Sequence, residues 1–232
     1  MPLRDGVKTQ PRTPLNRGRI LQVAVAMADA EGLKSLTMRK IGQTLDVEAM
    51  SLYNHIRDKD DILCGIVDRV LSDIDLSPTS HEWKVAMRQS AISAHDVLLR
   101  HPWTCELILS PKSIQIVPAR MQYIESILAR FREAGFSPAG ASRGYHAIDS
   151  HILGFTLWEL GHSIPKGAPP DFLETFSRQF DFDSYPYLGE HLNEHTKEAE
   201  ANAISEFEFG LDLILDGLEK IMERASTRAV HQ

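Results

Sequence analysis

The stretch LTMRKIGQTLDVEAMSLYNHIRDKDDIL, residues 36–63, decides the fold of this chain. Thr37 is suited to open a short helix, and a second short helix is predicted from about Glu48 to His55. The two helices meet at Leu45-Asp46-Val47, where Asp46 tolerates the left-handed backbone that such a turn can require. Four apolar residues are spaced to form a small shared core: Ile41, Leu45, Val47 and Leu52. This pattern predicts a packed helix pair whose second member keeps one face exposed.

Helices are predicted on both sides of this pair. Upstream, a helix runs from Asn16, a suitable N-cap, to Gly32, a common terminator, and its apolar positions are Ile20, Val23, Ala24, Met27 and Ala28. Downstream, RDKDD at 57–61 begins a longer helix whose apolar positions are Ile62, Ile66, Val70 and Ile74. Residues 1–15 contain three prolines and no periodicity, which predicts a flexible basic arm.

The remainder of the chain is also predicted to be helical. Apolar periodicity indicates helices over 83–99, 121–134, 139–160 and 198–225, and 163–190 is the one long irregular stretch. No run of alternating β-branched residues predicts a strand. The fold class is therefore all-α, with a three-helix unit over 16–60 and a larger helical unit over 61–232.

The charges are distributed unevenly along the chain. The net charge is −7, yet residues 1–60 carry ten Lys and Arg against seven Asp and Glu, which leaves fifteen against twenty-five for the rest. Phosphate neutralisation requires clustered cations. The split therefore fits a nucleic-acid-facing N-terminal unit on an acidic body.

The second helix of the central pair carries side chains that can read DNA, because a helix of this kind fits the major groove. The residues that can hydrogen-bond are Ser51, Tyr53, Asn54 and His55, and those that can contact a thymine methyl group are Ala49 and Met50. Packing against the small core is the other role open to Tyr53 and His55.

These residues resemble the DNA-binding unit of the tetracycline-repressor family. That family shows a Leu-Thr-x-Arg-x-Ile/Leu-Ala start, a Leu-Gly-Val turn, a Leu-Tyr-x-His-Phe end and then Lys-x-x-Leu-Leu. This chain has LTMRKIG at 36–42, LDV at 45–47, LYNHI at 52–56 and KDDIL at 59–63. It departs at Gly42 and Asp46, where Ala and Gly are usual, and a carboxylate near phosphate adds repulsion. The resemblance implies a helix-turn-helix regulator that binds double-stranded operator DNA as a homodimer.

The resemblance also implies roles for individual residues. The residues that would meet bases are Arg39, Ala49, Met50, Ser51 and Asn54. The residues that would hold the phosphate backbone are Tyr53, His55 and Lys59. Backbone contacts position a protein on DNA without specifying the sequence.

Beyond residue 61, the chain is similar to the ligand-binding domain of the tetracycline repressor's closer relatives. The similarity is carried by RHPW at 100–103, AGFS at 134–137, LGF at 153–155 and FEFGLD at 207–212. In that domain, helices matching about 139–160 and 204–222 pair with their copies to form a four-helix bundle. The sequence agrees, because an apolar stripe wider than one packing contact is formed by Phe207, Leu211, Ile214, Leu215, Leu218 and Ile221.

A small-molecule site is expected between the helices of this domain, where a mostly apolar cavity holds a few polar groups. The candidates are His95, Trp103, Met121, His146, Phe155, Trp158, Glu159 and His162, although each of them singly is also an ordinary packing residue. The metal-binding histidine of the tetracycline repressor falls near Ile108, and its other polar contacts, near Asp75 and Ser90, are also changed. Tetracycline with magnesium is therefore not expected, and no metal or cofactor is predicted. The expected effector is a small, largely apolar molecule that releases a repressor from a palindromic operator.

Two other functions stay open at this point. A DNA-binding dimer without a ligand would have a fully packed body. A metal-dependent enzyme is suggested by ten histidines, two of which, His191 and His195, are four residues apart. However, HLNEH lacks the HExxH order, and a solvated helix start also explains it.

The expected location is the cytoplasm, with no membrane partner. The start of the chain has no apolar segment of the signal-peptide type, and no apolar stretch is long enough to span a bilayer. The two cysteines, Cys64 and Cys105, form no CxxC pair and are expected to be reduced packing residues.

Overall fold

The computed structural model describes residues 14–77, 80, 82–110, 116–161, 184–196 and 204–230. Within these ranges the regular structure is entirely helical, which confirms the all-α prediction. The helices are α1 (Arg17–Glu31), α2 (Met38–Leu45), α3 (Ala49–Leu52), α4 (Lys59–Leu71), α5 (Trp83–Arg100), α6 (Trp103–Leu109), α7 (Pro118–Glu133), α8 (Pro138–Gly161), α9 (Pro186–Thr196) and α10 (Glu206–Val230). None of the helices described is both long enough and apolar enough to cross a membrane.

The first two helices begin and end where local chemistry predicts. The Asn16 side chain accepts a hydrogen bond from the Arg19 N–H at 2.9 Å, and α1 ends at Gly32 with a φ of 77°. Thr37 caps α2 by accepting from the Lys40 N–H at 3.2 Å. Asp46 ends α2 in the left-handed conformation, with a φ of 56° and a ψ of 45°. The turn that Asp46 was expected to allow is therefore formed.

The recognition helix α3 is shorter than the predicted span to His55. Its regular part ends at Leu52, after which Tyr53 keeps a helical backbone and the His55 N–H donates to the Leu52 carbonyl at 2.9 Å. Helices α2 and α3 also approach closely at Gly42, where a Cβ would lie 2.9 Å from the Val47 carbonyl oxygen. This contact gives a physical reason for glycine at a position where alanine is usual.

Helix α4 joins two groups of helices, which we call the head (α1–α3) and the body (α5–α10). It packs against α1 on the head side and against α5, α6 and α7 on the body side. The packing against α1 is tight, because a Cβ on Gly65 would lie 2.6 Å from the Leu21 side chain. Ile62, Ile66 and Val70 are buried as expected, whereas Ile74 is buried in the turn after the helix has ended at Leu71.

The body is built around α8, which packs against α5, α7 and α10. Cations on α5 face carboxylates on α10. Arg88 pairs with Asp212 at 2.8 Å, and Lys84 pairs with Asp216 at 2.6 Å. These pairs set the register of α5 against α10, while buried apolar side chains between the helices supply most of the stability.

The C-terminal part of the chain differs from the sequence prediction in two places. Helix α9 begins at Pro186, inside the stretch predicted to be irregular up to residue 190. The last described helix begins at Glu206 rather than 198, because Ser205 and Glu208 form a reciprocal capping box with both hydrogen bonds at 3.1 Å. Residues 162–183 and 197–203, on which parts of these predictions fall, lie outside the described residues.

A bidentate ion pair connects the start of α1 to the first turn of α4. Both carboxylate oxygens of Asp61, in the first turn of α4, accept from the Arg17 guanidinium at 2.8 and 3.0 Å. The Arg57 N–H also donates to Asp61 at 2.9 Å. The hydrogen bonds from Arg17 hold the pKa of Asp61 below its ordinary value.

We expect Asp61→Asn to lower the free energy of unfolding by about 1–2 kcal/mol at neutral pH, because Arg17 loses its charged partner in a partly exposed site. The lowered pKa of Asp61 makes its contribution fully present above the ordinary value of 3.8, and the contribution is lost as the pH falls through the lowered pKa. Urea unfolding at several pH values measures both effects. The control is Asp60→Asn, an exposed carboxylate in the same helical turn. Equal losses in the two variants would contradict the role of the pair.

Candidate functional site

The residues predicted to face DNA form an accessible surface of the head. Six of the eight are exposed, namely Arg39, Met50, Tyr53, Asn54, His55 and Lys59, while Ala49 and Ser51 are half-buried. Met50 is 75% exposed and Tyr53 is 48% exposed. Such exposure of large side chains argues against the packing role that the sequence left open for Tyr53.

The same segment is held by buried apolar anchors. Leu52 and Ile56 are at most 2% exposed and alternate with the exposed side chains of α3 and the following turn. Lys59 is the first residue of α4, behind an Asp58 side chain that accepts from the Asp61 N–H at 2.8 Å. Among the ion pairs between described residues, none involves Arg39 or Lys59. Both cations are therefore available to an anionic partner.

The eight residues predicted to line a ligand site are not brought together. Trp103 is buried at the start of α6, and its indole N–H donates to Asp29 Oδ1 of α1 at 2.7 Å. His101 Nδ1 lies 2.8 Å from the same oxygen. Trp103 thus connects the body to the head, a role that its residue type alone does not reveal.

Four of the predicted residues, His95, Phe155, Trp158 and Glu159, do cluster between α5, α8 and α10. The ring of His95 stacks on Phe207 with centroids 3.9 Å apart. Thr156 Oγ1 donates to the Ile152 carbonyl at 2.6 Å and lies 2.8 Å from His95 Nδ1, so this oxygen accepts the Nδ1 proton. His95 Nε2 lies 3.2 Å from the Glu159 carboxylate. Burial lowers the pKa of His95, and the Glu159 carboxylate opposes this shift.

The other predicted ligand residues lie elsewhere. Met121 is 51% exposed on α7, and His146 is exposed on α8 with its ring near that of Tyr145. His162 lies outside the described residues. The aromatic cluster around Phe155 is therefore the only part of the predicted set that the described structure assembles.

A cavity of about 320 Å³ lies inside the body between α4, α6, α7 and α8, and we call it the body cavity. It is lined by Leu71, Ile108, Leu109, Arg120, Ile124, Tyr145, Asp149 and Leu153. Its size is near the lower end of ordinary ligand pockets, it is partly open to solvent, and its wall combines five leucine and isoleucine side chains with one polar group. A more open groove of about 570 Å³ lies between head and body and includes Lys59 in its wall.

Sequence reasoning missed the polar residues of the body cavity. Arg120 on α7 pairs with Asp149 on α8 at 2.7 Å, and the Tyr145 hydroxyl donates to the same carboxylate oxygen at 3.2 Å. The available signal was the Tyr-x-x-x-Asp spacing, which places two polar groups one turn apart on a mostly apolar helix. Nothing in the sequence indicates that Arg120 joins them, because it lies on a different helix.

The environment of this polar group explains its ionisation. Burial disfavours the charged form of Arg120, but the Asp149 carboxylate and the neighbouring Tyr145 and Tyr123 together outweigh burial and raise the pKa of Arg120 above its ordinary value. Burial raises the pKa of Tyr145 to about 12, and the neighbouring Asp149 charge adds to the shift. At neutral pH the cavity wall therefore holds one cation, one anion and a neutral phenol.

The three positions that align with tetracycline contacts of the tetracycline repressor have other roles in this structure. Ile108 lines the body cavity as an apolar side chain. Ser90 Oγ donates to the Asp75 carbonyl at 3.0 Å and accepts from Arg130 at 2.7 Å. The Asp75 N–H in turn donates to Ser93 at 2.8 Å. These residues fasten the connection between α4 and α5.

No described group of three or more His, Cys, Asp and Glu side chains is arranged to hold a metal. His191 is exposed on α9, and the side chain of His195 lies outside what the structure describes. The histidine pair that suggested an enzyme thus gains no support from the fold.

A family model described as tetracyclin repressor-like, C-terminal domain, matches residues 77–222, which is more than half of the chain. The chain belongs to this family. The expected family resemblance is thereby confirmed for the body, where the sequence motifs were weakest. Members of this family are transcription regulators and not enzymes, which also confirms the predicted class of function.

Individual relatives of this tetracyclin repressor-like protein extend over most of its length. The HTH-type transcriptional repressor Rv1353c of Mycobacterium tuberculosis is 28% identical over 225 residues, which cover 94% of this chain and 85% of the relative. The HTH-type transcriptional repressor DrrR1 of Streptomyces coeruleorubidus is 27% identical, covering 91% and 80%. The crystal structure of apo ActR from Streptomyces coelicolor has the same fold, with a TM-score of 0.72, 24% identity and coverage of 92% and 99%. ActR in complex with actinorhodin gives a TM-score of 0.68 at 24% identity, with coverage of 90% and 99%.

Proposed function

We propose that this protein is a ligand-responsive transcriptional repressor that acts in the cytoplasm. It binds a palindromic operator as a symmetric homodimer, and a small, largely apolar effector in the body cavity releases it. The observation that carries this proposal is the placement of α4. Its first residue, Lys59, follows the DNA-facing surface, and its last residue, Leu71, lines the body cavity.

Helix α4 is short enough to act as a rigid connector. Its 13 residues span about 20 Å. Because it packs tightly against α1 near Gly65, it cannot shift without moving the head. An effector that displaces Leu71 therefore changes the orientation of the DNA-facing surface in each subunit, and hence the spacing of the two surfaces in a dimer.

Two hydrogen-bonded links supplement α4. Asp68 on α4 accepts from the Ala119 N–H at 2.8 Å and so caps the start of α7, the helix that carries Arg120 into the cavity. Trp103 at the start of α6 donates to Asp29 of α1, and Ile108 near the end of α6 lines the cavity. Two walls of the cavity are thus connected to the head or to α4 by partly buried hydrogen bonds.

The proposed dimer face lies on α8 and α10. The exposed apolar residues there are Leu157, Trp158 and Leu160 on α8, and Phe209, Leu213 and Ile221 on α10, each 40–60% exposed. Most of the stripe predicted from sequence lies inside the protomer, where Phe207, Leu211, Leu215 and Leu218 are buried, and only Ile221 of that stripe is exposed. Phe209 and Leu213 were not part of it. A second copy that covers the exposed half completes a four-helix bundle, since large apolar patches of this kind mark interfaces.

The body cavity favours a ligand-responsive regulator over a ligand-free DNA-binding dimer, for which a fully packed body was expected. Support also comes from ActR, a protein of the same fold that was crystallised with actinorhodin. The effector of the present chain would contact five aliphatic side chains and one polar group made of Arg120, Tyr145 and Asp149.

The proposed division of roles on the DNA-facing surface predicts two different losses of binding. Lys59→Ala should weaken binding to all DNA sequences alike and reduce the salt dependence, because it removes a backbone contact. Arg39→Ala should relax the preference at one base pair by about 1–3 kcal/mol. Fluorescence anisotropy with operator and scrambled duplexes at several salt concentrations measures both. If the two variants lose specific and non-specific binding in the same proportion, the assignment is wrong.

The proposed dimer face predicts that Leu213→Glu yields a monomer, because it places a charge where two apolar surfaces meet. Operator binding should fall with dimerisation, since a palindrome is read by two linked surfaces about 34–36 Å apart. Light scattering and operator titration check this result. Met121→Glu, at an exposed apolar residue on α7, is the matched control and should remain a dimer. A monomeric control variant, or a dimeric Leu213→Glu, would refute the assignment.

The proposed effector site predicts that Leu153→Trp abolishes the response to effectors by filling the body cavity. Ligand-free operator affinity should stay within a fewfold of wild type, because the substitution lies on α8, away from the head. Operator release by a set of small aromatic compounds is the measurement, and an effector coupling of about 1–3 kcal/mol is expected in the wild type. His146→Ala, at an exposed residue of the same helix, serves as the control and should keep the response. Loss of response in Phe155→Ala but not in Leu153→Trp would place the effector site at the aromatic cluster instead.

A further inference from the structure

The polar group of the body cavity is built from two helices that do not read DNA. Arg120 lies on α7, whereas Tyr145 and Asp149 lie on α8. The side chains of Arg120 and Asp149 are each only 14% exposed, so they are largely removed from bulk water. The rest of the cavity wall consists of leucine and isoleucine. These three residues are therefore the part of the wall that can distinguish one polar ligand from another.

The hydrogen bonds within this group leave some of its atoms unused. Arg120 Nη2 donates to Asp149 Oδ2 at 2.7 Å and lies 3.3 Å from the Tyr145 hydroxyl, which donates to the same Oδ2. No hydrogen bond between described residues reaches Arg120 Nε or Nη1, or Asp149 Oδ1. The group thus retains N–H donors on Arg120 and one acceptor oxygen on Asp149.

The unused atoms are not sealed in the protein core. In the described part of the chain, Thr104 Oγ1 is the one fully buried side-chain oxygen or nitrogen that lacks a hydrogen-bond partner. The unused atoms of Arg120 and Asp149 consequently remain accessible, and both residues line the cavity. A ligand in the cavity can meet a donor and an acceptor held next to each other by one ion pair.

The charge of the group restricts the ligand further. Arg120 and Asp149 neutralise each other, so the cavity wall carries no net charge when both are ionised. A ligand anion or cation would attract one partner and repel the other, so its own charge would gain no net compensation beside a pair that is itself largely removed from water. A neutral group that offers one acceptor and one donor satisfies Arg120 and Asp149 together without breaking their pair.

We propose that the Arg120–Asp149 pair selects effectors whose polar end is a neutral group carrying both a hydrogen-bond acceptor and a donor, as a primary carboxamide does, on an apolar body. Carboxylates and amines of the same shape are rejected. This inference rests on the proposed function, because it concerns the chemistry of the proposed effector site. It makes Arg120 and Asp149 the residues that determine specificity.

The first test compares four probes that share one bicyclic body: 2-naphthamide, 2-naphthoate, 2-(aminomethyl)naphthalene and 2-methylnaphthalene. Isothermal titration calorimetry with the full-length wild-type protein measures their affinities at neutral pH. We expect 2-naphthamide to bind at least about tenfold more tightly than either charged probe, a difference of about 1.4 kcal/mol. We expect 2-methylnaphthalene to bind more weakly than the amide, because it leaves both hydrogen-bonding groups unused.

Charge-neutralising variants then test the origin of this order. Asp149→Asn leaves Arg120 without a counter-charge, so 2-naphthoate should become the preferred probe. Arg120→Gln leaves Asp149 alone, so 2-(aminomethyl)naphthalene should be preferred. Leu153→Trp should abolish binding of all four probes, which locates the binding in the body cavity rather than in the open groove beside Lys59. Circular dichroism melts establish that each variant is folded.

The outcomes separate this inference from the proposed function. Equal binding of the four probes by wild type, tightest binding of a charged probe, or an unchanged order in Asp149→Asn overturns the inference and leaves the effector site in place. Binding that survives Leu153→Trp, or no binding of any probe at millimolar concentration, also overturns it. The proposed function itself is decided separately, by whether any compound releases the protein from its operator. If the variants do not fold, the order of the probes in wild type alone decides.

Discussion

The rest of this structure depends on helix α4, which packs against both the head and the body. Its buried side chains belong to one hydrophobic core that runs without interruption from Ile20 in the head to Leu215 in the body. Its first turn is fixed by the bidentate Arg17–Asp61 pair, and Asp68 fixes the start of α7. Since interiors are close-packed, such a helix moves as a unit or not at all. The distance between the DNA-facing surface and the body cavity is thereby spanned by about three and a half helical turns of α4, with its packed apolar side chains and two carboxylates.

The buried histidine cluster shows how the body is stiffened beside the proposed dimer face. Phe207 of α10 stacks on His95 of α5 and on His151 of α8, and His151 Nε2 lies 2.9 Å from the Phe207 carbonyl oxygen. At Gly210 a Cβ would lie 2.6 Å from the His151 ring, so this ring packs directly against the backbone of α10. Three helices are thus held at fixed spacing, and only the opposite faces of α8 and α10 are available to a second subunit.

The sequence alone predicted the features that depend on residues close together in the chain. The caps at Asn16 and Thr37, the left-handed Asp46 and the exposure of Arg39 and Lys59 all follow from local spacing and residue type. The body cavity was not predictable in the same way, because its wall is formed by four separate helices whose packing the local sequence does not specify. Residue type indicated that Trp103 is buried, but could not indicate that its N–H faces Asp29 rather than a ligand. Likewise, the apolar stripe on α10 did not show which of its residues pack inside the protomer, and it omitted Phe209 and Leu213, which are exposed.

The location of the polar cavity residues has a consequence for how regulators of this type diverge after gene duplication. Helix α4 contributes only the aliphatic Leu71 to the cavity, while the charged groups come from α7 and α8. Substitutions that change what is recognised therefore leave intact both the connector and the surface that faces DNA. A duplicated copy can acquire a new chemical signal through a few changes on α7 and α8 and still control the ancestral genes. Because these residues lie on different helices from those that face DNA, the ligand specificity can evolve while DNA recognition is conserved.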